Sequence, residues 1–175
     1  MTQLLELRGL VEAPPDAVAA LLLDVRPGGR SPIAVDGETE ADGGDRFVVV
    51  RDGSRLTVTV DRAAREVAEQ GEWWFRSTTS VEPDPHGSQV VHRVFNVAEG
   101  NGWAIRFLAR APLNAAPRRF AETLSRLGEE LGVASRVLYR QGPKTRSPLA
   151  EIAAQSSSRS VPRASASART VTGIR

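Results

Sequence analysis

Cysteine is absent from the 175 residues of this chain. Its absence excludes disulfide bonds, thiolate metal sites and cysteine nucleophiles, and it is typical of proteins in a reducing cytoplasm. Histidine occurs only twice, at His86 and His92, and the single tyrosine is Tyr139. Because two separated histidines make a poor metal site, we expect no bound metal.

Long apolar runs are also missing. No stretch approaches the ~20 apolar residues of a membrane span. The first residues, MTQLLELRGL, have neither the basic start nor the apolar core of a signal peptide. Phosphate-binding loops, dinucleotide fingerprints, zinc-protease motifs and nucleophile elbows are absent as well. We therefore predict a cytoplasmic protein without a membrane span and without a cofactor.

The charge of the chain is unevenly distributed. Residues 141–175 carry six basic residues and one acidic residue, so that of the total net charge of +2 the body holds −3 and this segment +5. The segment is rich in Ser, Ala and Arg without an apolar period, which predicts a disordered tail. Since the basic excess lies outside the predicted fold, we expect no stable nucleic-acid binding, and at most weak contact of the tail with an acidic surface.

Several short segments alternate apolar and polar residues, as half-buried strands do. Strands are predicted at 3–11, 45–52, 54–62, 72–82 and 88–98, with a weaker one at 33–40. The segment 65–70 is either a strand or a turn of helix. Asp52-Gly53 is typical of a hairpin turn, and PDPHG joins the last two strands.

Two segments have helical spacing. The stretch EAPPDAVAALLLD begins with prolines that suit a helix start. Near the end, Phe120, Leu124, Leu127 and Leu131 lie on one helical face, and Gly132 suits a left-handed C-cap. Pro112 and Pro117 predict a bend or two consecutive helical pieces.

This order of elements predicts an α+β protein in which a curved antiparallel sheet wraps around a long C-terminal helix. An antiparallel sheet with one apolar face needs a cover, and the last helix supplies it. Curvature leaves space between the two layers, where pockets tend to form. We place this domain at residues 1–140 and the tail at 141–175.

Three segments resemble the helix-grip superfamily of START and birch-pollen-allergen proteins (SRPBCC), especially its polyketide cyclase/dehydrase-like branch. They are VEAPPDAVAALLLDV, HGSQVVHRVFNV and RRFAETLSRLGEEL, and the resemblance covers roughly residues 3–135. It implies an apolar cavity for lipids, polyketides or isoprenoid-like molecules. In one departure, RPGGRSPIA replaces a segment that contains tryptophan in many relatives, which implies an unusual lip of the pocket.

His92 lies in a strand whose two faces are both half apolar, so periodicity alone does not orient it. The resemblance implies that His92 and Asn96 face the cavity with Val90, and that Arg93 faces outward. In that position His92 is a candidate acid or base, or a hydrogen-bond donor to a ligand. A structural histidine is the plainer interpretation.

Aromatic residues supply the other candidate contacts. Trp73 and Phe75 share a parity that we assign to the inner face, with Trp74 on the outer face. Trp103 and Phe107, on the last helix, are candidates to close the entrance. All of them fit an ordinary core as well. Arg51, Arg76 and Arg106 are candidate anchors for an anionic group.

Three functions follow from these residues. The first is binding of a small hydrophobic molecule, oriented by His92 and Asn96. The second is a polyketide aromatase/cyclase or dehydratase with His92 as acid/base, so whether the chain is an enzyme stays open. The third is a ligand-sensing regulatory module with the tail as a contact arm.

Overall fold

The computed structural model describes residues 1–51, 53–98, 105 and 109–141. Their elements, in chain order, are β1 (Thr2–Val11), α1 (Pro15–Leu22), β2 (Glu38–Asp42), β3 (Arg46–Arg51), β4 (Ser54–Asp61), β5 (Glu66–Gly71), β6 (Phe75–Asp84), β7 (Gly87–Asn96), α2 (Arg110–Leu131) and β8 (Ser135–Gln141). The predicted tail beyond Gln141, together with Trp103, Arg106 and Phe107, lies outside the described residues, so the predicted boundary after residue 140 stays a prediction.

All eight described strands form one curved antiparallel sheet in the order β2-β3-β4-β5-β6-β7-β1-β8. Five of its seven strand pairs join neighbours along the chain, as hairpins with short turns do. The first strand is the exception, because β1 pairs with β7 on one side and β8 on the other. The ambiguous segment 65–70 is strand β5, paired with both β4 and β6.

The long helix packs on the concave face of the sheet. Phe120, Leu124 and Leu127 are at most 4% exposed and belong to the main core cluster, and Leu131 packs against it. The predicted helical face and its Gly132 cap are confirmed, since Gly132 has φ 64° in the left-handed region. The helix is a single element from Arg110 to Leu131, so the prolines do not divide it into two pieces. Pro112 lies in the first turn, where its missing N–H costs little, and Pro117 lies inside the helix, where it removes one helical hydrogen bond.

One element was not predicted. After α2 the chain returns as strand β8, which pairs with β1 from Val11↔Ser135 to Glu6↔Gln141. The sequence pattern predicts no strand after the long helix. A pattern-based prediction misses this strand because it lies at the edge of the sheet. Val137 and Leu138 are 48% and 45% exposed there, and buried and exposed residues do not alternate.

Gly9 sets how closely α2 approaches the sheet. It lies on the inner face of β1, and a Cβ at this position would lie 2.1 Å from Leu124 Cδ1. Leu124 is 1% exposed and has little room to move. Glycine is therefore the residue that lets helix and sheet meet at this point.

We expect Gly9→Ala to lower the free energy of unfolding by about 1–3 kcal/mol, the usual cost of overpacking a core. Chemical denaturation measures it. Gly71→Ala is the matched control, because a Cβ there meets nothing nearer than Phe75 Cβ at 3.7 Å. Equal stability of the two variants would contradict the close approach of Gly9 and Leu124.

Candidate functional site

Four polar side chains lie side by side on the inner face of the sheet, in its central strands. The register places Val67, Thr79 and His92 in one row across β5, β6 and β7. The next row on the same face contains Glu69, Ser77 and Val94. Polar residues at inward positions of an otherwise apolar face are unusual and indicate a site rather than plain core packing.

A cavity of about 480 Å³ lies between these strands, α2 and residues 32–36. Its apolar wall includes Ile33, Val35, Leu56, Trp74, Phe75, Val94, Leu113, Ala116 and Phe120. Glu69, Thr79, His92 and Thr123 are polar groups in the lining. The charged lining residues, Asp36, Arg51, Arg119, Glu122 and Arg126, are exposed. Mostly apolar walls with a few convergent polar groups are typical of small-molecule sites.

Residues 32–36 give this cavity its unusual lip. Their side chains contain no aromatic ring, and Val35 is 9% exposed in the core. Ser31 fixes the start of the segment, since its hydroxyl donates to the Leu22 carbonyl over 2.8 Å and it is 5% exposed. The RPGGRSPIA segment therefore contributes to the cavity by small apolar side chains where the resemblance would have placed a tryptophan.

His92 lines the cavity, on the inward side that the resemblance implied. Its Nδ1 lies 2.9 Å from Thr79 Oγ1, and its ring stacks on Phe120 with centroids 6.2 Å apart. Burial lowers the pKa of His92 to about 4, because an imidazolium loses its hydration there and gains no nearby carboxylate. The imidazole is thus neutral at physiological pH, able to donate one hydrogen bond and accept one.

Glu69 is the site residue that sequence reasoning missed. It lines the same cavity, and its Oε2 accepts a hydrogen bond from Ser77 Oγ over 3.0 Å. Burial raises the pKa of Glu69, and the Ser77 hydrogen bond, which favours the carboxylate, offsets only part of this. The available signal was parity, because Glu69 shares a face of its strand with Val67, which is 1% exposed.

The predicted tryptophan orientation is wrong. Trp73 is 58% exposed and does not line the cavity, whereas Trp74 does, with its ring edge-to-face on Phe75 at 5.7 Å between centroids. The alternation used to assign them applies only within a strand. Residues 72–74 form a bend, and β6 begins at Phe75. Phe75 lines the cavity as expected.

Two other predicted contacts lie away from the cavity lining. Val90 is fully buried in the main core cluster. Asn96 Oδ1 accepts a hydrogen bond from the Ala98 backbone over 2.9 Å, so its side chain orders the chain after β7. Arg93 faces outward as predicted, paired with Glu6 at 3.0 Å and with Glu82 at 3.4 Å. Arg51 is a lining residue, and Arg76 donates to Gln70.

Neither a metal-ligand cluster nor a membrane-spanning helix is present in the described residues. No three His, Cys, Asp or Glu side chains in this part of the chain come together as metal ligands would. No helix within the same residues has both the length and the apolar character that crossing a membrane requires.

Comparison with known proteins supports the architecture. No family model and no curated protein matches the sequence. The KanY protein aligns with a TM-score of 0.52 at 20% identity, over 75% of this chain and 99% of KanY. A protein from Nitrosospira multiformis aligns with a TM-score of 0.49 at 12% identity, over 71% of this chain and 94% of its own. The di-domain ARO/CYC StfQ from the steffimycin biosynthetic pathway aligns with a TM-score of 0.40 at 12% identity, over 71% of this chain and 43% of StfQ. With its antiparallel sheet curved around one long helix and its likeness to KanY, the chain has the helix-grip fold.

Proposed function

We propose that this protein binds a small, largely apolar molecule in the cavity between the sheet and α2. One observation carries the proposal: a space of about 480 Å³ whose walls are mainly aliphatic and aromatic. Cavities of roughly 300–1,000 Å³ suit small organic ligands. Burial of apolar ligand surface would stabilise the complex by ~25 cal/mol per Å² before the costs of association.

The polar groups in the cavity fit this function. His92 is neutral at physiological pH, and the raised pKa of Glu69 favours its uncharged form. An apolar ligand that covers His92 therefore desolvates no full charge, which is the expensive step in burying polar groups, and the raised pKa of Glu69 lowers this cost at its carboxyl group. The exposed Arg119 and Arg126 are on the helix that forms one wall, where they remain hydrated.

Acid–base catalysis by His92 is less well supported than binding. An efficient general acid or base has a pKa near the working pH. With a pKa of about 4, His92 carries almost no proton to donate at neutral pH and is a weak base. The aromatase/cyclase or dehydratase hypothesis therefore needs a substrate that raises this pKa. The regulatory hypothesis depends on the tail, which lies outside the described residues.

Filling the cavity tests the binding function. Ala116 lines the cavity from α2, whereas Ala121 is exposed on the same helix and does not line it. We expect Ala116→Trp to weaken binding of 2-isopropenylnaphthalene, a rigid hydrocarbon probe, by about tenfold or more, because the new indole occupies the space. Ala121→Trp should bind like the unaltered protein. Equilibrium dialysis measures both affinities, and circular dichroism checks that both variants fold.

Native mass spectrometry of the freshly purified protein provides a second readout. An adduct that solvent extraction removes, and that Ala116→Trp lacks, is expected if a cellular ligand occupies the cavity. The binding function is wrong if the hydrocarbon fails to bind the unaltered protein, or if it binds Ala116→Trp with undiminished affinity.

A further inference from the structure

Glu69 is an acidic group placed where an apolar ligand would lie. Its cross-strand neighbours on the inner face are Val58 and Ser77, and Val67 precedes it on the same face. Val58 and Val67 are at most 1% exposed. A carboxyl group in such surroundings costs free energy unless its polar atoms are satisfied, so its presence here calls for a role.

Only one of its two oxygens is satisfied within the protein. Among the described residues the Ser77 hydroxyl, on Oε2, is the single side-chain partner of Glu69. Oε1 has none. Oε1 is also accessible from the cavity. In the described part of the chain, Ser80 Oγ is the only side-chain polar atom that is both fully enclosed and without a partner, and it lies on the opposite face of the sheet. Since Oε1 has no partner, it is therefore not fully enclosed.

We propose that Glu69 recognises an uncharged oxygen acceptor of the ligand, such as a ketone carbonyl, by donating a hydrogen bond from Oε1. This inference rests on the proposed binding function and names its specificity. Because Oε2 accepts from Ser77, an uncharged carboxyl group here carries its proton on Oε1. The raised pKa of Glu69 supports the uncharged form.

The arginines of the cavity do not change this assignment. Arg51, Arg119 and Arg126 line it, but all three are exposed, and none forms an ion pair with Glu69. His92 is neutral, and it lies two strands away, on β7, bonded to Thr79. At about 4.8 Å per strand the two strands lie about 10 Å apart, and the two residues are also one row apart along them, so one ligand can contact both groups at different ends.

Two variants of Glu69 test whether its side chain donates a hydrogen bond to a ketone, which can only accept one. Glu69→Gln keeps an uncharged donor of the same length, and Glu69→Leu removes it at similar volume. The probes are 2-acetylnaphthalene and 2-isopropenylnaphthalene, which differ only in a carbonyl oxygen against a methylene group. Their affinity ratio cancels the general effect of a variant on the cavity, as a double-mutant cycle does.

We expect the ratio of ketone affinity to hydrocarbon affinity to fall about tenfold in Glu69→Leu and to be nearly unchanged in Glu69→Gln, since an unmade hydrogen bond in a buried site costs about this much. Equilibrium dialysis gives the affinities, and Ala116→Trp should weaken both probes.

The outcomes distinguish the two proposals. If the hydrocarbon binds and the ratio is the same in the unaltered protein and in Glu69→Leu, Glu69 has no such role and the binding function stands. If 1-(2-naphthyl)ethylammonium binds the unaltered protein more tightly than the ketone and loses this advantage in Glu69→Gln, Glu69 is an anionic site and our assignment is overturned. If neither uncharged probe binds, both proposals fail.

Discussion

Acidification from pH 6.5 to pH 4 is expected to remove about 3 kcal/mol of folding stability through His92 alone. The unfolded histidine has its ordinary pKa of 6.5, whereas burial lowers the pKa in the folded protein to about 4. Between these values the unfolded chain binds a proton that the native protein does not bind, so the free energy of unfolding falls as the pH falls. At 1.36 kcal/mol per pH unit, the difference amounts to about 3 kcal/mol.

The direction of the His92 pKa shift determines the pH range in which stability is lost. Above pH 6.5 the imidazole is neutral in both states, and the contribution is fully present. It is lost progressively as the pH approaches 4, and below that it is absent. Glu69 acts in the opposite direction. Because its pKa is raised above the ordinary value of 4.5, its contribution to stability is complete below pH 4.5 and is lost at higher pH.

The measurement is urea denaturation at several pH values between 4 and 7, for the unaltered protein and for His92→Gln. Because other carboxyl groups also titrate in this range, the informative quantity is the difference between the two curves, which should change by about 3 kcal/mol across the window. His86→Gln is the control for loss of a histidine, since the His86 side chain is 77% exposed in a turn. Parallel curves for His92→Gln and the unaltered protein would show that His92 is not buried as a neutral group.

The helix and the strands were predictable to different degrees because their patterns differ in length. The apolar face of α2 repeats over three turns and ends at Gly132, so both the element and its cap were identified. The inner face of β4 follows from Val58 and Val60, which are 0% and 7% exposed. A strand such as β8 gives no such signal, because an edge strand buries little of either face.

The site was less predictable than the fold because its decisive properties are tertiary. The rows that bring Glu69, Ser77 and Thr79 beside His92 are set by the register of three strands, which no single segment encodes. A glutamate in a strand is assigned to the solvent face by default. Parity with Val67 is the one sequence signal against this default, and the register and the covering helix are needed to show that Glu69 faces inward.

The tryptophan pair shows how a local boundary can reverse an assignment. Parity places Trp73 inside only if the strand already includes it. The chain bends before Phe75, and the bend brings Trp74 to the cavity wall while leaving Trp73 exposed. The predicted strand starts at residue 72, three residues before the observed start at Phe75, and this difference exchanged the two rings.

Phe47→Ala is expected to lower the free energy of unfolding by about 3–5 kcal/mol, the usual cost of removing a buried phenylalanine. Phe47 is 1% exposed on the inner face of β3, opposite Val58. The Arg26 guanidinium carbon lies 4.9 Å from its ring centroid, and Arg26 also donates to both carboxylate oxygens of Asp42 over 2.8 Å. The substitution thus removes core packing and a cation–π contact together.

Chemical denaturation measures the loss. Trp73→Ala, which removes a larger but 58% exposed ring, is the matched control and should stay within about 0.5 kcal/mol of the unaltered protein. Phe47 does not line the main cavity, so Phe47→Ala should bind 2-isopropenylnaphthalene with unchanged affinity under conditions where it remains folded. A stability loss no greater than that of Trp73→Ala would mean that β3 is not packed in the core. A loss of affinity in the folded variant would mean that the cavity depends on the Phe47 end of the sheet. Stability and binding are expected to separate because Phe47 is buried in the core cluster and does not line the main cavity, whereas His92 and Glu69 do.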